Sequence, residues 1–151
     1  MTSGKIKASL APCGLNCQQC FAHVDGEIRR YSRRLKERLG NFAAYALRFE
    51  TLLDDPIFKK YNEFKEMLDY FAAAHCRGCR NEQCRLFKTC GVRACHQARQ
   101  IDFCHQCDAF PCDHTNFDDH LYKRWVLLNR KIQRTGVERY YEATAERPRY
   151  I

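Results

Sequence analysis

The chain has 151 residues, a formal charge of +8 and eleven cysteines. Its length fits one domain, residues 1–151. It contains no apolar run near the roughly 20 residues that a membrane-spanning helix needs, and no apolar N-terminal segment typical of a secretion signal. We therefore expect a cytoplasmic location without membrane contact, where clustered cysteines are more often metal ligands than disulfides.

The positive charge has two interpretations. Basic surfaces bind nucleic acid, but a zinc ion held by four thiolates has a net charge of about −2, and two such sites would halve the formal charge. Lysines and arginines are frequent between Cys76 and Arg99, and cations beside thiolates favour the ionised, metal-binding form. We favour this second interpretation. Metal ions and a protein are the expected partners, and nucleic acid is less favoured.

The first half of the chain divides into a cysteine run and a helical segment. Residues 10–23 form the run, and residues 25–74 have the spacing of apolar residues that is typical of helices. Glycine and Asp-Pro positions mark the boundaries, so that the predicted helices cover 25–39, 42–53 and 57–74. The third helix has an apolar stripe that we expect to be core, formed by Ile57, Tyr61, Phe64, Leu68 and Phe71.

The second half of the chain is irregular and then helical. Residues 75–115 are the cysteine-rich, metal-binding region, with little periodicity apart from a short helical stretch near 91–100. We expect metal to organise this region, and its cysteine turns leave room for short hairpins. Residues 117–151 form the C-terminal helices, predicted over 117–134 and 137–144.

These elements predict a mostly α fold, a small helical bundle with a cysteine-rich, metal-organised irregular region. The ordinary apolar residues cluster in 35–71 and 117–141, so we expect these two stretches to supply the core. Strands do not alternate with helices, which argues against an α/β fold.

Ten cysteines are predicted metal ligands, because short gaps between cysteines let thiolates converge on one tetrahedral ion. They are Cys13, Cys17, Cys20, Cys76, Cys79, Cys90, Cys95, Cys104, Cys107 and Cys112. The preferred grouping joins the first three to one distant ligand and places the next four in a second site. The last three form a third site or extend the first. Eleven thiols do not divide into complete sets of four, so at least one is free or shares its site with a ligand that is not a cysteine. Cys84 is the thiol that we expect to bind no metal.

Histidines are weaker ligand candidates. His23 and His114 follow cysteine groups at a suitable spacing, although a packed or exposed histidine is the more common case. His75, His96 and His105 each adjoin a cysteine, and adjacent side chains rarely bind one ion, so we expect supporting or surface roles for them. The aspartates of the third cysteine group are more typical of turns than of acid–base catalysis, and no catalytic or cofactor-binding residue is predicted.

The ordered motifs resemble the family known as domain of unknown function 3795. The motifs are CGLNCQQC at 13–20, CRGC at 76–79, TCGVRAC at 89–95 and FCHQCDAFPC at 103–112. The resemblance covers about residues 10–115 and implies a small, zinc-binding protein without an assigned activity. Cys84 lies outside the family's motifs.

Three functions fit these patterns. The favoured one is a zinc-stabilised adaptor or binding module, because closed four-thiolate zinc sites leave no open position for a substrate. The second is an iron–sulfur redox or radical enzyme, since cysteine thiolates also hold [4Fe–4S] clusters and C-x3-C-x2-C is a spacing that radical enzymes use. The third is a thiol-based sensor of metal or redox state. Whether the protein is an enzyme stays open, with a non-enzymatic role favoured.

Overall fold

The computed structural model describes residues 3–150, in which seven α-helices and three 3₁₀ turns are joined without any strand longer than an isolated bridge. The helices are α1 (Ser3–Ser9), α2 (Glu27–Leu39), α3 (Phe42–Leu53), α4 (Tyr61–Ala72), α5 (Val92–Arg99), α6 (Asp119–Thr135) and α7 (Val137–Ala145). The 3₁₀ turns are Cys17–Gln19, Pro56–Lys60 and Cys104–Gln106. The predicted mostly α fold is confirmed. None of the described helices is long and apolar enough to cross a membrane.

The helix boundaries follow local sequence signals. Gly40 ends α2 with φ +50 and donates its N–H to Lys36 O at 3.1 Å, as the glycine position predicts. The predicted helix 57–74 is shorter than expected, because its first part is a 3₁₀ turn that Asp55 caps by accepting from Ile57 N at 2.9 Å. The seven-residue α1 was not predicted, since it is too short to show helical periodicity.

The core lies where α6 meets the N-terminal segment. Trp125 of α6 is 1% exposed and packs in a cluster with buried cysteines of the first run. A second cluster joins α1 to α7 through Ile6 and Tyr140, with Phe103 between them. The expectation that residues 117–141 supply core is therefore confirmed. The rest of the core comes from the N-terminal segment instead of residues 35–71.

The expectation that residues 35–71 supply core is wrong. Only Ala46 and Leu68 are buried there, and within the predicted stripe Ile57 and Phe64 are 55% and 45% exposed. The reason is that α2 and α4 pack mainly on each other, while α3 packs on the 3₁₀ turn that follows it. These helices therefore form a hairpin that turns much of its apolar surface outward.

Half-buried aromatic rings hold this hairpin together. The ring of Phe42 lies 4.9 Å from Tyr61 and 5.7 Å from Phe49, centroid to centroid. Such pairs add to the free energy of area burial, so the hairpin keeps its shape with few fully buried side chains.

Paired leucine substitutions test where the core lies. Leu10→Ala is expected to lower the unfolding free energy by about 2–5 kcal/mol, because Leu10 is fully buried against Phe103 and Ile132. Leu47→Ala, the matched control, is expected to change it by less than about 0.5 kcal/mol, because Leu47 is 71% exposed. Urea denaturation of both variants gives the comparison, and equal losses would contradict this assignment of the core.

Candidate functional site

The N-terminal cysteine run is shaped by a tight loop against α6. Ala11 N donates to Leu15 O at 2.8 Å and Gly14 N to Ala11 O at 2.9 Å. Gly14 has φ +87, and a Cβ there would lie 3.1 Å from Ile132 Cδ1. Glycine therefore provides both the left-handed backbone and the close approach to α6.

Backbone N–H groups point at the sulfur atoms of five cysteines. Cys76 Sγ accepts from Gly78 N at 3.4 Å, and the thiol of Cys90 accepts from the first residues of α5. Such N–H groups act to lower the thiol pKa because they stabilise the thiolate, but at Cys13, Cys76 and Cys90 burial has the larger effect and raises the pKa. The other three cysteines with this contact are Cys13, Cys17 and Cys84.

Five cysteines from distant segments line a first cavity of about 30 Å³. They are Cys13, Cys17, Cys79, Cys84 and Cys90. Hydrogen bonding with the Cys79 thiol lowers the pKa of Cys17 to about 7 and that of Cys84 to about 6, and it raises the pKa of Cys79. The Arg149 guanidinium lowers the pKa of Cys17 and Cys84 further. The arrangement therefore favours thiolates at Cys17 and Cys84 and a protonated thiol at Cys79.

Four cysteines line a second cavity of about 20 Å³. They are Cys95 of α5 and, from the loop before α6, Cys104, Cys107 and Cys112. Trp125 forms part of the wall, and its buried indole N–H lies beside the Cys104 thiol. Burial raises the pKa of Cys104 to about 11, although the nearby indole N–H of Trp125 acts in the opposite direction.

The remaining two cysteines line neither cavity. The Tyr150 hydroxyl lies 3.8 Å from Cys20 Sγ. Cys76 forms a backbone bridge with His23, and burial raises the pKa of its thiol. Both were predicted ligands; neither lines a cavity with the others, although the charge of the Cys17 thiol also acts on Cys76.

The structure therefore brings the cysteines together in a different combination from the expected one. Cys13 and Cys17 line a cavity with Cys79, Cys84 and Cys90, and Cys95 lines the second cavity with the third group. Cys84, the thiol expected to bind no metal, thus lies in the first cavity. The sequence contains a signal for this position, because Cys76-x2-Cys79-x4-Cys84 repeats the C-x2-C-x4-C spacing of the third group.

The two histidines with favourable spacing are not well placed to bind metal. His23 is buried, and its Nδ1 accepts from Asp25 N at 3.2 Å, so the proton lies on Nε2 and no lone pair is free. His114 borders the second cavity, but its side chain is 71% exposed. His96 also lines the second cavity; burial lowers the pKa of its imidazole, which favours the neutral ring.

All eleven cysteines are free thiols. Within residues 3–150, no group of three or more His, Cys, Asp or Glu side chains is arranged so that it could hold a metal ion. The ligand sets predicted from the sequence therefore stay predictions, and what the structure adds is which thiols share a cavity.

Two positions hold the cavity walls in place. Asn129 of α6 is fully buried and donates from Nδ2 to Cys13 O at 2.8 Å, while its Oδ1 accepts from His105 N at 3.1 Å. Gly91, next to Cys90, has no room for a side chain, because a Cβ there would lie 2.2 Å from His114 O. The start of α5 thus packs directly on the loop that leads from the third cysteine group.

Comparison with known proteins places the chain in a family. Residues 9–117 match the family described as Protein of unknown function (DUF3795). The chain belongs to this family. The DUF3795 match includes all eleven cysteines, and its description names no activity or ligand. No curated protein matches the chain, and no solved structure matches it.

The C-terminal residues lie outside the DUF3795 match but contact the first cysteine run. Gln19 Nε2 donates to Ala145 O and Arg147 O, both at 2.8 Å. Arg149 donates to Asn16 O at 2.6 Å and lines the first cavity. The end of the chain is therefore part of this site.

A glycine pair tests the packing between the cavities. Gly91→Ala is expected to lower the unfolding free energy by about 1–3 kcal/mol, because the new Cβ overlaps the backbone of His114. Gly4→Ala is the matched control within α1, where a Cβ meets nothing within 4 Å, and it is expected to leave stability unchanged or slightly raised. Thermal unfolding measures both, and a harmless Gly91→Ala would contradict the close contact.

Proposed function

We propose that the protein is a zinc-stabilised adaptor module with one zinc ion in each cysteine-lined cavity. The observation that carries the proposal is the collection of nine cysteines, from segments far apart in the chain, into two cavities. Zinc favours thiolate ligands and four-coordinate, closed structural sites. Its role here would be to hold these segments together, since zinc has no redox chemistry.

Zinc in the first cavity would take four of the five thiols. Cys17, Cys79 and Cys84 are neighbours through hydrogen bonds, and the fourth ligand would be Cys13 or Cys90, which line the same cavity. Backbone N–H groups reach four of these five sulfurs. This donor set fits a metal thiolate centre, because each N–H stabilises negative charge on sulfur.

Zinc in the second cavity would be held by Cys104, Cys107 and Cys112, with a fourth donor from α5. Zinc–sulfur bonds are about 2.3 Å long, a closer convergence than these side chains have among the described residues. We therefore expect zinc to draw the sulfur atoms together as it binds, which couples metal binding to the final packing of this region.

Charge compensation also supports metal thiolates in the first cavity. Arg93 and Arg149 both line it, and Arg149 lowers the pKa of two of its thiols. A four-thiolate zinc site has a net charge of about −2, so two guanidinium groups would balance it.

The adaptor part of the proposal is supported by the helical hairpin. Eight of the thirteen large apolar side chains that are exposed in the described residues lie between positions 45 and 70, and an apolar surface of this kind marks a site of protein contact. Zinc would hold the cysteine-rich half of the molecule, which leaves this surface free for a partner protein. The eight are Tyr45, Leu47, Leu52, Leu53, Ile57, Phe64, Met67 and Tyr70.

Metal content tests the proposal. Protein made under reducing, metal-replete conditions is expected to be colourless and to contain two zinc ions per chain by native mass spectrometry and elemental analysis. Replacing both Cys79 and Cys84 by serine leaves three thiols in the first cavity and is expected to lose one zinc, whereas Cys20→Ser, the control outside both cavities, keeps two. A metal-free or disulfide-linked protein would contradict the proposal, and a brown protein with iron and sulfide would favour the cluster alternative.

Zinc removal is expected to unfold the cysteine-rich region selectively. Zinc binding contributes on the order of 10–16 kcal/mol, comparable to the whole stability of a small domain, about 5–15 kcal/mol. After treatment with a strong chelator, hydrogen exchange should lose protection across residues 76–112, while α2 and α4 keep theirs because they pack on each other. Protection should return when zinc is restored. Unchanged protection of residues 76–112 would refute a stabilising role for zinc.

A further inference from the structure

We infer that His96, and not Cys95, supplies the fourth ligand of the second site, through Nε2. The site would then be a Cys3His centre with Cys104, Cys107 and Cys112. This inference rests on the proposed function and names the ligand set of its second zinc ion. It departs from the sequence-based expectation that His96 has only a supporting role.

The orientation of the His96 ring is fixed by the end of α5. Gln100 follows the helix with φ +53, and Ile101 N donates to His96 O at 3.2 Å, which folds the chain back over the last turn. Ile101 O then lies 3.1 Å from His96 Nδ1. Because a carbonyl oxygen can only accept, Nδ1 carries the proton and the neutral ring has its lone pair on Nε2.

The lone pair on Nε2 has no partner in the protein. Nε2 of His96 is buried and has no hydrogen-bond partner among residues 3–150. The ring lines the second cavity, whose other walls include Val92, Phe110 and Trp125. A buried acceptor without a donor is rare in folded proteins, because it loses its hydrogen bond to water without replacement. A zinc ion held by the neighbouring thiolates would satisfy it.

The contact with Ile101 has the form that metal-binding histidines use. Such histidines almost always donate the second ring N–H to a carbonyl or carboxylate, which fixes the tautomer and the ring plane. The alternative histidine at this cavity, His114, has an exposed side chain and lies 3.8 Å from the Asp113 carboxylate. The His96 ring, which is held in place and has a buried Nε2, is the better ligand.

Cys95 and His96 are adjacent on a helix, so that their side chains leave the axis about 100° apart. One tetrahedral ion therefore takes one of the two. Choosing the imidazole gives a site with three thiolates and a net charge of about −1, instead of about −2 for four thiolates. The Arg80 and Arg93 guanidinium groups near His96 lower the pKa of its imidazole further, which keeps the ring in the neutral form that binds zinc.

Zinc-edge X-ray absorption on the full-length, zinc-loaded protein tests the assignment. The wild-type protein is expected to show a nitrogen at about 2.0 Å from zinc in addition to sulfur at about 2.3 Å. His96→Ala should lose the nitrogen signal, and its zinc content should fall from two ions to one. His96→Cys should keep two zinc ions with sulfur ligands only. If His96→Ala does not fold, His96→Cys still tests the assignment.

Two control variants separate the rival ligands. Cys95→Ser and His114→Ala should keep both zinc ions and the nitrogen signal. Zinc with sulfur ligands only in the wild-type protein, or a zinc ion lost from Cys95→Ser but not from His96→Ala, would overturn the role of His96 and leave the proposed function intact. A wild-type protein without zinc would overturn the proposed function, and the assignment of His96 with it.

Discussion

A single buried amide on α6 joins the two cysteine-lined cavities. Asn129 donates to the carbonyl of Cys13 and accepts from the N–H of His105, and it is fully buried. An unpaired polar group in such a position costs about 1–3 kcal/mol, so the N-terminal run and the third cysteine group both stay against α6. One turn earlier, Trp125 forms part of the wall of the second cavity. The positions of both cavities therefore depend on this face of α6.

Because of this arrangement, the cysteine sites combine residues that are far apart in the chain. The first cavity combines residues near positions 13–17 with residues 79–90 and with Arg149. Closing loops of this length costs conformational entropy before any contact is gained, and the cysteine-rich region has only short helices with which to offset that cost. Backbone N–H groups beside sulfur and the Arg149 guanidinium favour negative charge at Cys17 and Cys84, as the proposed metal thiolates require.

The helical hairpin shows that the spacing of apolar residues predicts helices but not which of their faces are buried. The apolar spacing in residues 25–74 correctly predicts helices, and the bounds of α3 agree with the prediction at both ends. The same spacing led to a wrong expectation about the core, because a helix can turn an apolar face toward a neighbouring helix or toward solvent. Phe64 and Ile57 follow the helical repeat of a core face, yet both are exposed.

The helices, the turns at glycine, the family and the clustered cysteines can all be predicted from the chain, because these features depend on residues a few positions apart. Even the place of Cys84 could have been found from a repeated spacing. Which thiols share a cavity and where the lone pair of His96 points are known from the folded structure alone. Both depend on how α5, α6 and the N-terminal run pack together, and contacts between segments so far apart leave no periodic trace in the chain.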